Sequence, residues 1–197
     1  MRKIKYVIIV ILMLPLTIRA DNTCEKRPAS SAQESSPTTA WTNIDSVFDS
    51  DNQRASYTGG TADTLYITNF NMGIPADATV DSIFATTEAQ GSASQAARRR
   101  LKICLTKNGT AIVGETVNHN HALNSDDTKR STGGTTPLWN TTWTAAEVNA
   151  STFGIVTWKT ASQAGTILLD HATLYVAYTE AGGEESSTYR RARSRCQ

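Results

Sequence analysis

The stretch GTILLDHATLYVAYT, residues 165–179, decides the fold class. From Ala172 onward Leu174, Val176 and Tyr178 share one parity, while Thr173, Tyr175 and Ala177 share the other. A half-buried strand requires that period of two, because successive side chains point to opposite faces. Asp170 lies at a core-facing parity if the alternation runs unbroken through it. Either a bulge turns it out or a hydrogen-bond donor meets it. His171 beside it makes a poor acid/base partner, since strand neighbours face opposite ways.

The runs before this closing strand are shorter pieces of the same kind. Leu101, Ile103 and Leu105 alternate with Lys102 and Thr106, Asn108 and Gly109 supply a tight turn, and residues 111–113 return, which predicts a hairpin. In TLYITNFNMGI, residues 64–74, Leu65 and Ile67 share one parity and Phe70, Met72 and Ile74 the other. A bulge near Asn69 accounts for the switch. Pro75 ends that strand, and PADAT turns into a strand over 79–87 carrying Ile83 and Ala85. Residues 90–95 read as a small-residue loop, and residues 118–136 as a long polar one. Thr144 followed by Glu147 has capping-box spacing and predicts one helical turn over 144–150. After it Phe153, Ile155 and Thr157 alternate with Gly154, Val156 and Trp158. The pattern is that of an all-β, jelly-roll-like antiparallel β-sandwich of roughly eight to ten short strands with one short helical turn.

The chain is rich in Thr, Ser, Ala, Asn and Gly, and its net charge of +1 argues against nucleic acid as a partner. At the N-terminus Arg2, Lys3 and Lys5 precede an apolar run over 6–18, and Ala20 and Asp21 follow. This is the pattern of a secretory signal peptide, residues 1–20, cut near Ala20. The run falls short of the roughly 20 apolar residues of a spanning helix. The expectation is a secreted or cell-surface protein with no stable membrane span after cleavage; retention of the segment as an anchor is the rival. Residues 21–40 lack apolar content and read as a disordered polar linker. The β-sandwich domain is expected over 41–179, starting at Trp41 with Val47 and Phe48 as anchors, and 180–197 as a polar basic tail containing Arg190, Arg191, Arg193 and Arg195.

Few residues suggest chemistry. Asp49 and Asp51 concentrate oxygen ligands in a turn, as a structural Ca²⁺ site would, although an Asx-turn explains them more simply; no other cofactor is expected. His119 and His121 would project to one side of an extended segment, and Asp126 could close a site for a transition metal, the basis of a metal-dependent hydrolase reading. Trp139, Trp143 and Trp158 are candidate platforms for sugar rings if exposed, and core residues if not. Of three cysteines, Cys104 reads as a small buried hydrophobe, while Cys24 and Cys196 are candidates for a terminal clip or a link between subunits.

Between Trp41 and Tyr178 the chain carries WTNI, a DS-DN turn, GIP followed by ADATVDSI, LWNTTWTAAEVNASTFGI and LLDHATLYVAY. In these features it resembles a loosely defined family of jelly-roll-like β-sandwich domains of phage virion accessory proteins and uncharacterised secreted bacterial surface proteins. The resemblance implies a fold and no catalytic residues; the export signal sets this chain apart from the phage examples. The expected function is a non-catalytic extracellular structural or adhesive module, a subunit of a surface assembly, that associates with itself or with a surface glycan or protein. A carbohydrate-binding module using exposed Trp and a virion-associated accessory protein are the alternatives.

Overall fold

The computed structural model describes residues 20–22, 26–33, 40–59, 63–91, 100–113, 121–123, 125–134, 138–159 and 165–180. In chain order the strands are β1 (Ala20–Asn22), β2 (Ser30–Gln33), β3 (Ala55–Tyr57), β4 (Thr64–Thr68), β5 (Thr79–Gly91), β6 (Arg100–Thr106), β7 (His121–Ala122), β8 (Thr128–Gly134), β9 (Gly154–Lys159) and β10 (Ile167–Thr179). A 3-10 turn lies at Ile44–Val47 and one helix, α1, at Ala145–Asn149.

Two antiparallel five-stranded sheets face each other. Sheet A runs β1-β10-β5-β8 with β3 also on β10, and sheet B runs β2-β4-β9-β6-β7. From β3 onward the pairing is that of one long hairpin rolled up on itself: β3 pairs β10, β4 pairs β9, β5 pairs β8 and β6 pairs β7. First meets last, second meets second-to-last, and so inward, which is a jelly roll. The fold is therefore an all-β sandwich of that type, established by its own strand pairing.

The closing strand occupies the centre of sheet A. Leu169, Ala172, Leu174 and Val176 are buried in the core, and Tyr178 packs against it. The Leu and Val side chains among them each contribute about 1.5–3 kcal/mol through burial. The register on β5 slips between Leu169 and His171, so Asp170 is the extra residue of a bulge. Facing this layer from sheet B are Leu65, Ile67, Leu101, Ile103, Leu105 and Ile155, with Phe153 just before β9, all fully buried. Backbones approach closely at two positions where a side chain has no room. A Cβ on Gly154 would stand 1.9 Å from the Ile67 carbonyl oxygen, and one on Gly133, whose φ is 127°, 2.0 Å from that of Ile83.

Several expectations are corrected. Residues 21–40 are not wholly a linker, since β1 and β2 add strands to both sheets and Lys26 makes a two-way backbone bridge with Leu174. The sandwich thus begins upstream of Trp41. Apolar content was a poor guide there because an edge strand is held by backbone hydrogen bonds that polar residues make equally well. The parity switch after Ile67 is real, but β4 ends at Thr68 and no bulge makes it. Left-handed backbone at Asn69, Asn71 and Gly73 turns Phe70, Met72 and Ile74 into the core instead. Gln90 and Gly91 belong to β5, and the polar stretch after Asn118 contributes β7 and β8. Of the hairpin read over residues 101–113, the described residues show the bridge of Leu105 with Val113, while the other edge of β6 pairs with β9. The helical turn has the expected capping box, with the Thr144 hydroxyl accepting from the Glu147 N–H and the Glu147 carboxylate from the Thr144 N–H.

Candidate functional site

The alternation that buries one face of β5 and β10 places polar and aromatic side chains on the other. Register makes three rows across sheet A on its outer face: Tyr175, Phe84 and Gly133; Thr173, Thr86 and Ser131; His171, Glu88 and Lys129. Phe84 and Tyr175 are half-buried neighbours with ring centroids 6.1 Å apart. The Thr86 and Ser131 hydroxyls are 2.7 Å apart. Glu88 Oε2 accepts from the Ser50 hydroxyl at 2.7 Å and lies 3.4 Å from Lys129 Nζ.

The turn before β3 and the segment before β2 wall this end of the face. The backbone bridge from Lys26 to Leu174 sets Arg27 at the rim, where its guanidinium pairs with Asp49. Between these walls is a groove of about 280 Å³ lined by Arg27, Ser50, Thr86, Glu88, Lys129, His171 and Thr173. Thr173 and His171 form its floor, Lys129 and Arg27 its exposed margin. A larger, more open depression of about 440 Å³ lies along the 3-10 turn, between Asn43 and Arg54.

Beside the groove lies a charged cluster built on the Asp170 bulge. Arg54 pairs with Asp127 and donates to the Asn52 carbonyl at 3.0 Å and to the Asn52 side-chain oxygen at 2.9 Å. Asp170 is 1% exposed. Burial pushes its pKa up, Glu88 adds to this, and Arg54 opposes it. The bulge therefore turns Asp170 off the apolar core toward a backbone N–H of Asn52 and the Arg54–Asp127 pair, the first of the two outcomes the sequence allowed, joined by the second.

The residues singled out by sequence are dispersed. Trp139 is 1% and Trp143 7% exposed, so neither offers a ring face to solvent, which corrects their reading as glycan platforms. The Trp139 indole donates to the Ile83 carbonyl at 3.1 Å; Trp143 packs edge-on to Phe153 with Lys107 Nζ 4.9 Å from its ring centroid. Trp158 is half-buried on the outer face of sheet B against Tyr66, Cys104 and Val156, with Lys102 Nζ 5.9 Å from its ring. Asp51 forms the Asx-turn, accepting the Gln53 N–H at 2.9 Å and its side-chain amide at 3.1 Å, while Asp49 is turned to Arg27. His121 lies in β7, Asp126 is exposed in the turn before β8, and His119 falls outside the described residues. Among the described residues no group of three metal-ligating side chains forms. Cys104 is a buried thiol, its pKa raised by burial, and donates to the Val113 carbonyl; Cys24 and Cys196 lie outside the described residues.

Sequence reasoning missed the rows on sheet A. Their signal was there in part, since Thr173 and Tyr175 were placed on the outer parity and Phe84, Thr86 and Glu88 alternate with Ile83, Ala85 and Thr87. What sequence lacked was the pairing of β5 with β8 and β10, which are distant along the chain.

Comparison with known protein families and with curated proteins finds no match. Among solved structures, the apo structure BiXyn10A CBM1 is similar over 82% of this chain and 100% of its own, at 14% identity and a TM-score of 0.40. The cyanophage Pam1 capsid covers 89% and 94% at 12% identity and a TM-score of 0.34. The coat protein of Tobacco streak virus covers the same shares at 11% and 0.34. Likeness at that level carries no functional argument. Among the described residues no helix is long and apolar enough to cross a membrane.

Proposed function

We propose that the chain is an exported, non-catalytic β-sandwich module with a structural or adhesive role, acting as one subunit of a surface assembly. The observation that carries this reading is β8, a strand of 7 residues that, among the described residues, ends sheet A. An outermost strand presents backbone N–H and C=O groups to any strand that can lie beside it. Lys129 and Arg130 on β8 discourage indiscriminate pairing with apolar strands and favour a specific partner. The signal-peptide pattern at the N-terminus supports an address outside the cytoplasm.

Light scattering on the secreted protein, with and without reductant, tests the reading. The expected result is a discrete oligomer. Dissociation by reductant would assign the link to Cys24 or Cys196, and survival in reductant to strand pairing. A monomer throughout the accessible concentration range would overturn the assembly.

A further inference from the structure

We propose that the outer face of sheet A is a binding site for a neutral saccharide chain, laid along the strands from the Phe84–Tyr175 pair to the Glu88–His171 row. This inference concerns the face of the sheet and stands independently of assembly through the β8 edge.

The face has the three chemical features a sugar chain needs. Phe84 and Tyr175 are half-buried and adjacent, and β8 contributes only Gly133 to their row. Gly133 is required by the close approach to Ile83, so β8 puts no side chain beside the aromatic pair. Aromatic rings of this kind take the apolar C–H faces of a pyranose. One row along, Thr86 and Ser131, whose hydroxyls are 2.7 Å apart, and the buried Thr173 carry hydroxyls, groups that can both donate and accept. A further row along, Glu88 accepts and His171 and Lys129 lie beside it in the groove. Successive rows are roughly 6–7 Å apart along the strands. An extended chain of hydroxylated rings would meet a polar row repeatedly, whereas a compact ligand would meet one.

Charge chooses the ligand class. Arg27 at the rim is matched by Asp49, and Lys129 by Glu88. With each cation neutralised by its own carboxylate, the groove has no surplus positive charge for phosphate or a uronic acid. Convergent polar groups in a shallow groove beside an aromatic pair fit an uncharged polyol.

The test is titration of the full chain with neutral hexasaccharides of glucose, xylose, mannose and galactose, and with an oligogalacturonate, by calorimetry and amide NMR shifts. We expect at least one neutral hexasaccharide to bind and to shift the amides of residues 84–88, 129–133 and 171–175. Tyr175→Ala and Thr86→Val should each weaken it by tenfold or more, while Trp158→Ala leaves it unchanged. Thr86→Val keeps a β-branched side chain of similar shape in β5, which separates lost hydrogen bonding from lost folding. The proposal is overturned if no neutral hexasaccharide binds at millimolar concentration, if only the acidic one binds, or if binding survives both sheet A variants.

Discussion

Asp170 is the residue whose environment is least ordinary. The carboxyl is buried in a bulge, and burial, Glu88 and Asp127 raise its pKa more than Arg54 lowers it. An acid whose folded pKa is raised binds its proton more tightly in the folded state. Stability is then complete below the ordinary carboxyl range and declines as pH rises through the raised folded value. Asp170→Asn keeps an acceptor for the Asn52 N–H and removes the titration. The variant should gain melting temperature relative to the parent as pH goes from 3 to 7, measured by calorimetry across that range. A constant difference, or one that shrinks toward neutrality, would contradict this account of the bulge. The sequence alone placed Asp170 on the wrong parity for a charged residue, and that anomaly was the legible sign of the bulge. Which groups would receive it was not legible, because Asn52, Arg54 and Asp127 arrive from other parts of the chain.

At the scale of elements, polar side chains fasten loops to the sandwich. Lys107, in the turn after β6, donates to Glu147 at 2.7 Å and to the Thr142 carbonyl at 2.8 Å, and so holds α1 and its capping box to sheet B. Burial raises the Glu147 pKa, but the hydrogen bonds from Lys107 and Thr144 together outweigh it, and the net direction is downward. An acid with a depressed folded pKa contributes stability above the ordinary carboxyl range and loses it as pH falls through the folded value. Glu147→Gln keeps the capping geometry and removes the charge. We expect it to cost about 0.5–1 kcal/mol at neutral pH, the range for a partly exposed pair, and to cost little at acid pH. Urea unfolding at both values checks the difference, and an equal cost at both would remove the ion pair from the account. The capping box was readable from Thr144 and Glu147 alone because its members are three residues apart. Lys107 was not, since it approaches from a turn about forty positions away.

For the whole molecule, alternation and turn chemistry sufficed to read a sandwich, because burial of one strand face imposes a period that sequence shows directly. The rolled-hairpin order was not readable, since every pairing from β3 to β10 except β6 with β7 joins strands that are not consecutive. The same limit hid β1 and β2, whose attachment is through the backbone, and it hid the face of sheet A. It also left β8 looking like part of a polar loop, although among the described residues β8 is the outermost strand at its end of sheet A. Amide hydrogen exchange across β8, compared between the assembled and dissociated protein, tests the assembly account most directly. The account predicts that outward-facing amides of Thr128–Gly134 slow markedly on assembly while the interior strand β5 changes little. An oligomer in which β8 exchanges as fast as in the monomer would contradict it.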